Sequence, residues 1–148
     1  MEREIIRIHY HNEELEKLTY IDGKSDWIDL RAAEHVVMKQ GEFRLISLGI
    51  SMCLPDGYEA IVAPRSSTFK NFGIIMVNSI GVIDESYGKN STDDIWMVPA
   101  LAMRDTEIHV NDRIAQFRIQ RHQPKIEFIE VEAQDGRSRG GFGSTGTR

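Results

Sequence analysis

Asp84 is a lone carboxylate placed where two kinds of sequence meet. Before it lie the apolar run Ile74-Ile75-Met76-Val77, which reads as a buried strand, and the stretch Asn78 to Ile83. After it comes a polar segment from Glu85 to Asp94, with Tyr87 three residues on. Gly81 interrupts the β-branched residues around it, as glycine does at a bulge or where a ligand nears the backbone. Taken alone, this is an ordinary turn that uses Asp and Ser. Two other stretches supply chemistry of a matching kind. In Pro64-Arg65-Ser66-Ser67-Thr68, three hydroxyls behind an arginine form an anion cradle in which hydroxyl and N–H groups donate and the guanidinium adds charge. The tail from Gln134 to Arg148 carries three arginines, two serines, two threonines and one aromatic, Phe142, among five glycines. Such a tail cannot order itself, but a phosphate-grasping arm with one stacking ring accounts for all of its residue types. A second carboxylate, Asp29, sits between apolar neighbours in Trp27-Ile28-Asp29-Leu30-Arg31-Ala32.

The bulk composition limits what these groups can serve. A net charge of −5 lacks the basic face of a nucleic-acid binder, so an anionic ligand here needs local arginines and a divalent cation. No run of eighteen apolar residues and no N-terminal leader pattern is present, which argues against a membrane segment. The single cysteine, Cys53, has no internal partner, and a cytoplasmic location is expected. The five histidines, His9, His11, His35, His109 and His122, are scattered, so no zinc set is expected.

The elements that must position these groups read as short strands. The opening strand falls in Arg3 to Tyr10, and one helical turn is expected in Asn12 to Leu18. Strands follow at 27–32, 43–48, 50–54 and 58–63, the last two separated by the strong turn Pro55-Asp56-Gly57. The strand beginning near Asp94 is expected to end at Pro99. Glu107 to Ile119 reads as a hairpin turning at Asn111-Asp112, with Gln116 opposite in direction to Ala115 and Phe117. Ile126 to Glu132 gives the last strand. Short strands at this spacing predict an all-β sandwich or barrel.

In order, these elements closely resemble the five-motif signature of the homotrimeric dUTP pyrophosphatases (dUTPases), over nearly the whole chain. The specific parts are Gly81-Val82-Ile83-Asp84-x-x-Tyr87 and Gly140-Gly141-Phe142-Gly143-Ser144-Thr145-Gly146. The resemblance implies an all-β, jelly-roll-like (β-clip) domain over 1–133 and a flexible arm over 134–148 that closes on the active site. It also implies a homotrimer with sites shared between subunits, and hydrolysis of dUTP to dUMP and pyrophosphate with Mg²⁺. By position, Asp84 would activate the water that attacks the α-phosphorus. Tyr87 would lie under the deoxyribose, and Asn78 with the backbone at Gly81 and Ile83 would meet the uracil edge. Arg65, Ser66, Ser67 and Gln116 would serve the phosphates, and Asp29 would hold the metal through water. Phe142 would stack on uracil while Gly143, Ser144, Thr145 and an arginine, Arg137 or Arg139, close on the γ-phosphate.

The chain departs from the family pattern at Asp26-Trp27-Ile28, at Ser138, and between Gly88 and Ile95. The deaminase of dCTP shares the fold and an Arg-Ser-Ser motif but needs a glutamate base, and Asp94 to Pro99 contains none. Some phage-borne members of that family also bind regulatory proteins, a second role open to this chain.

Overall fold

A computed structural model describes residues 3–148; Met1 and Glu2, which begin the stretch read against a leader, lie outside it. The strands are short because turn-forming residues interrupt the apolar alternation every few positions. They are β1 (Arg7–Tyr10), β2 (Ile28–Arg31), β3 (Val36–Met38), β4 (Phe43–Ser47), β5 (Ile50–Cys53) and β6 (Tyr58–Ala63). After the helix α1 (Thr68–Phe72) come β7 (Ile74–Met76), β8 (Gly81–Ile83), β9 (Met97–Ala102), β10 (Thr106–Ile108) and β11 (Arg113–Arg121). All pairings are antiparallel: β1 with β5, β10 with β3, the sheet β2-β11-β6-β8, and the sheet β4-β9-β7. No two consecutive strands pair, so each turn carries the chain from one sheet to another. This is an all-β, jelly-roll-like domain.

Along β6 and β9 alternate residues enter the core, while β11 buries two in succession at its bulge. Ala60 and Val62 of β6, Val98, Ala100 and Ala102 of β9, and Ile114, Ala115 and Phe117 of β11 are buried. Trp96, fully buried, meets the ring of Phe117 edge-on at 5.3 Å between centroids, a geometry suited to the ring quadrupole. Among the described residues, no helix is long and apolar enough to cross a membrane.

Four sequence expectations are corrected or refined here. Asn12 to Leu18 makes one hydrogen-bonded turn, with the Leu15 N–H donating to the Asn12 carbonyl at 3.1 Å, but it winds no further into a helix, because the side chain of Asn111 takes its backbone groups. The Glu16 N–H donates to Asn111 Oδ1 at 2.9 Å, and Asn111 Nδ2 donates to the Glu14 carbonyl at 2.8 Å. Among the described residues, a helix lies instead at Thr68–Phe72. Pro99 does not end a strand but lies inside β9, opposite Leu45. Its carbonyl accepts from the Val77 N–H just past β7, so the donor that proline lacks falls where the β7 ladder has run out. The turn at Asn111-Asp112 exists, with Asn111 at φ 77°, but it joins strands of different sheets. Ala32 receives this turn, donating to the Asp112 carbonyl and accepting from the Asn111 N–H. Finally, Ile126 to Glu132 is not a strand, since within the chain it meets no partner ladder. Phe128 is 91% exposed and Ile129 77% exposed.

Two turn glycines separate backbone conformation from packing. Gly57 and Gly88 have nearly the same φ, 85° and 88°, but a Cβ on Gly57 meets nothing within 4 Å, whereas one on Gly88 would stand 2.2 Å from the Met52 carbonyl oxygen. Gly57→Ala should cost about 1–2 kcal/mol from the left-handed backbone alone. Gly88→Ala should lose more, over about 3 kcal/mol, because main chain must move as well. Urea denaturation of the two variants tests this; equal losses would mean that the Met52 carbonyl yields freely.

Candidate active site

The predicted polar residues fall into two clusters on the one sheet β2-β11-β6-β8. The first follows from register: Asp29 of β2 lies opposite Gln116 of β11, which lies opposite Ala63 of β6. Three stretches far apart in sequence are thereby laid side by side. Asp29 Oδ1 accepts from Arg65 Nε at 2.9 Å, and Oδ2 accepts from Arg113 Nη1 at 3.1 Å. Arg65 also donates to Ser67 Oγ at 3.4 Å and to the Arg113 carbonyl at 3.3 Å, so its guanidinium is turned inward. Gln116 Nε2 donates to the Pro64 carbonyl at 3.0 Å.

Thr68 fixes the loop that carries these groups. Its buried hydroxyl accepts from the Arg65 N–H at 2.8 Å and donates to the Ile114 carbonyl at 3.1 Å. The third hydroxyl of the expected cradle is therefore structural, and Ser66 stays exposed. A carboxylate offers about four acceptor positions, and the two arginines take two of those on Asp29. Two remain for water, which fits a cation held through its hydration shell better than one bound directly.

The second cluster surrounds β8. A turn over 77–80, with Ser79 at φ 62°, leads from β7 into it. A Cβ on Gly81 would stand 3.6 Å from Asn78 Nδ2, an ordinary contact, which places the Asn78 amide beside the start of β8. Asp84 follows directly after β8, at the strand–turn junction expected from the sequence. The Tyr87 N–H donates to the Asp84 carbonyl at 3.0 Å, and Tyr87 Oη donates to the Ile95 carbonyl at 2.9 Å. Burial first, and the charge of Asp94 second, raise the Tyr87 hydroxyl above its ordinary pKa. Val82, Ile83, Asp84, Tyr87, Ile95, Trp96 and Met97 line a slot of about 280 Å³. That is small for a whole ligand pocket and suits one ring with a sugar. Asp84 also lines a wider cavity of about 760 Å³ with Glu59, Glu85, Ser86, Lys89 and His122.

In the turn after Asp84, Glu85 and Asp94 are engaged. Glu85 accepts from Lys89 Nζ at 2.8 Å and from the Gly57 N–H at 2.7 Å, and Asp94 accepts from the Gly88 N–H at 2.9 Å. Asp84 is exposed, and its carboxylate has no hydrogen-bond or ion-pair partner among the described residues.

The two clusters do not meet within the chain. Ile83 pairs with Ala60, which sets Asp84 beside Glu59, four residues along β6 from Ala63. At the rise of a strand this is about 13 Å. Nor does the tail reach either cluster. Arg137, Arg139, Phe142, Gly143, Ser144 and Thr145 are exposed, and the hydrogen bonds there are local, as from the Ser144 N–H to the Gly141 carbonyl at 3.0 Å. Arg113 was missed as a site residue. The signal was present: it is the cation beside Asp112 at the head of the alternation that ends in Gln116.

The fold and the polar groups on its four-stranded sheet define an all-β domain built around an anionic ligand. Residues 23–146 match the dUTPase family model. The chain is 52% identical over 143 residues to the SPbeta prophage-derived deoxyuridine 5'-triphosphate nucleotidohydrolase YosS of Bacillus subtilis, covering 97% of this chain and 99% of that one. This protein belongs to the dUTPase family. Among solved structures, the dUTPase of Staphylococcus bacteriophage 80alpha with dUPNHPP superposes with a TM-score of 0.72 at 20% identity, covering 97% of this chain and 99% of that one. A mutant dUTPase from phage phi11 of S. aureus, with a structural Mg(II) ion, does so at 0.73 and 15% identity, over 86% and 97% of the two chains. At these identities the likeness is one of fold.

The anchoring of the Asp84 turn has a pH signature. The Lys89 ammonium first, and then the Gly57 N–H, hold the Glu85 carboxyl below its ordinary range. A carboxylate depressed in the folded state stabilises fully above the unfolded pKa and loses that contribution as pH falls through the folded one. The difference in Tm between the wild type and Glu85→Gln should thus be largest near neutrality and shrink as pH falls below the carboxylate range. A difference independent of pH would show that the ion pair does not hold the turn.

Proposed function

We propose that this chain hydrolyses dUTP to dUMP and pyrophosphate, and that Asp84 activates the attacking water. The observation that carries the reading is the unpartnered Asp84 carboxylate lining the ring-sized slot, in a turn where its neighbours Glu85 and Asp94 are engaged. A general base must stand within hydrogen-bond reach of its water and be free to accept. The water oxygen bonds to the α-phosphorus, its proton passes to Asp84, and the bond from that phosphorus to the bridging oxygen breaks, releasing pyrophosphate. The Tyr87 ring, held by its bond to the Ile95 carbonyl, walls the slot where a 2′-hydroxyl would project. Asn78 and the backbone at Gly81 and Ile83 read the uracil edge. Selection of this kind rejects by clash and by unpaired polar groups.

Ser66, Ser67 and Gln116 bind the phosphate chain, and Arg65 acts by orienting Asp29. Mg²⁺, carried by the phosphates and held by Asp29 through water, would neutralise charge on the leaving pyrophosphate. The separation between Asp84 and the Asp29–Gln116 row supports a site completed by another copy of the chain, as a homotrimer. Two further features favour assembly. The outward side of β4-β9-β7 exposes Phe43, Leu45, Met97 and Ile75, an apolar face on a folded sheet. The unpaired segment after β11 leaves Ile126, Phe128, Ile129 and Val131 uncovered. The arm of residues 134–148 then closes over bound nucleotide, with Phe142 on the base and Arg137 or Arg139 on the γ-phosphate.

Pyrophosphate release measured with dUTP, dCTP, dTTP and UTP tests the activity, and only dUTP should turn over well. Asp84→Asn keeps the size and removes the base, so kcat should fall by roughly 10²–10⁴ with dUTP binding retained. A near-normal kcat would remove Asp84 from the mechanism. Light scattering should give three times 16.9 kDa. A chain cut after Gln134 should assemble yet be nearly inactive. Refolded together with the Asp84→Asn chain, it should regain activity in mixed trimers if the arm serves a neighbour's Asp84. No recovery in mixed trimers would confine the arm to its own chain.

A further inference from the structure

We propose that His35, Glu107 and His109 form a surface binding site for a divalent transition metal of zinc type, separate from the nucleotide site. The pairing of β3 with β10 assembles it. Val36 lies opposite Ile108 and Val37 opposite Glu107, so continuing the register by one residue brings His35 opposite His109. Alternation then sends His35, Glu107 and His109 to the outer face, while Val36, Met38 and Ile108 are buried on the inner one. A sequence separation of 72 residues between His35 and Glu107 hid this set from the sequence, where the histidines looked scattered.

The ligand atoms already converge. His35 Nε2 is 2.7 Å from Glu107 Oε2, His109 Nε2 is 3.7 Å from Glu107 Oε1, and the three groups offer ligand atoms all within 4.8 Å of one another. Tetrahedral ligands at zinc distances stand about 3.3 Å apart, so closure requires shifts of an ångström or so. The two imidazoles are stacked at 5.1 Å and 10°. Closing on one ion tilts each ring about χ2, which is soft for exposed side chains.

The main chain on both sides is held in place. The His109 N–H donates to Asp112 Oδ2 at 2.8 Å, and the His109 carbonyl accepts from the Asp112 N–H at 3.0 Å. Beside His35, Glu34 accepts from the Ser47 N–H at 2.9 Å and from Arg44 at 3.0 Å. Two imidazoles and one carboxylate select zinc, nickel or copper over magnesium, which prefers oxygen and its own waters. Three protein ligands leave a fourth position to water. A bound ion would clip β3 to β10, a two-stranded sheet, and stabilise the fold by mass action.

The test is zinc chloride titrated calorimetrically into the chelator-stripped full-length protein. Three forms are compared: wild type, His35→Gln/His109→Gln, and His9→Gln/His11→Gln as a control for the other adjacent histidine pair. Wild type and control should bind one equivalent per chain and gain Tm with zinc. The His35/His109 variant should bind that equivalent more than about 10-fold more weakly, since even an outer-shell partner's loss costs this much. Cobalt in place of zinc should give the visible absorption of a four-coordinate site in wild type and not in that variant. Excess Mg²⁺ should leave the zinc isotherm unchanged. The site is overturned if wild type takes up no zinc, if the His35/His109 variant binds it as wild type does, if the His9/His11 variant is the one that loses it, or if Mg²⁺ displaces it. Turnover of dUTP with Mg²⁺ should be the same in all three forms, so the test stands apart from the proposed activity.

Discussion

Two guanidinium groups converge on one carboxylate, and the arrangement of the polar sheet depends on it. Without Asp29, Arg65 and Arg113 would face each other as like charges at the junction of β2, β11 and the loop after β6. The carboxylate is only 12% exposed, and Arg65 is 20% exposed. Removing one partner from such a triad leaves charge partly stripped of water, which is more costly than losing a surface ion pair. The same contact aims Arg65 inward and leaves the hydroxyl of Ser66 facing out. One ion-paired carboxylate thus sets which groups of the loop support the site and which are offered to a ligand.

That contact exists because strands pair across long stretches of chain. None of the sheets joins consecutive strands, so Asp29, Gln116 and Arg65 become neighbours only when β2, β11 and β6 are all in register. Within a face-buried strand, a slip of one residue would turn every such side chain over. The bulge between Arg113 and Ala115 in the β11–β2 pairing helps to pin that register. Folding must close long loops before such contacts form, and this favours cooperative assembly over local nucleation.

The same fact explains how far the sequence could be read. Strand existence was legible at β6, from apolar alternation and flanking turn residues, and at β7, from its apolar run, because these are local signals. Asp84 at its strand–turn junction was legible for the same reason. Pairing was not. Asn111-Asp112 has the chemistry of a hairpin turn, but its backbone groups bond to Ala32, so the strands on either side go to different sheets. The turn after Asn12 stops at one hydrogen bond, its further winding lost to a side chain nearly a hundred residues away. Ile126 to Glu132 has the alternation of a strand and lacks the partner that would make it one. Alternation reports burial, and it does not say which chain supplies the cover.

Arm closure in the proposed reaction is governed by how many acceptors the ligand offers. Fixing one residue of a glycine-rich segment costs about 1–2 kcal/mol, and one charge-assisted bond returns about 1.5–3 kcal/mol. The Phe142 ring, standing free in the uncovered chain, adds about 0.5–1.5 kcal/mol where it stacks. An arm of this composition is therefore ordered only when several phosphate oxygens meet it together. A triphosphate presents enough of them. The monophosphate product does not, because the β- and γ-groups leave as pyrophosphate. Loss of the substrate's charge in the reaction itself thus removes what holds the arm down. On this reading the glycines at 140, 141, 143 and 146 set the closing cost high enough for the lid to open after each turnover.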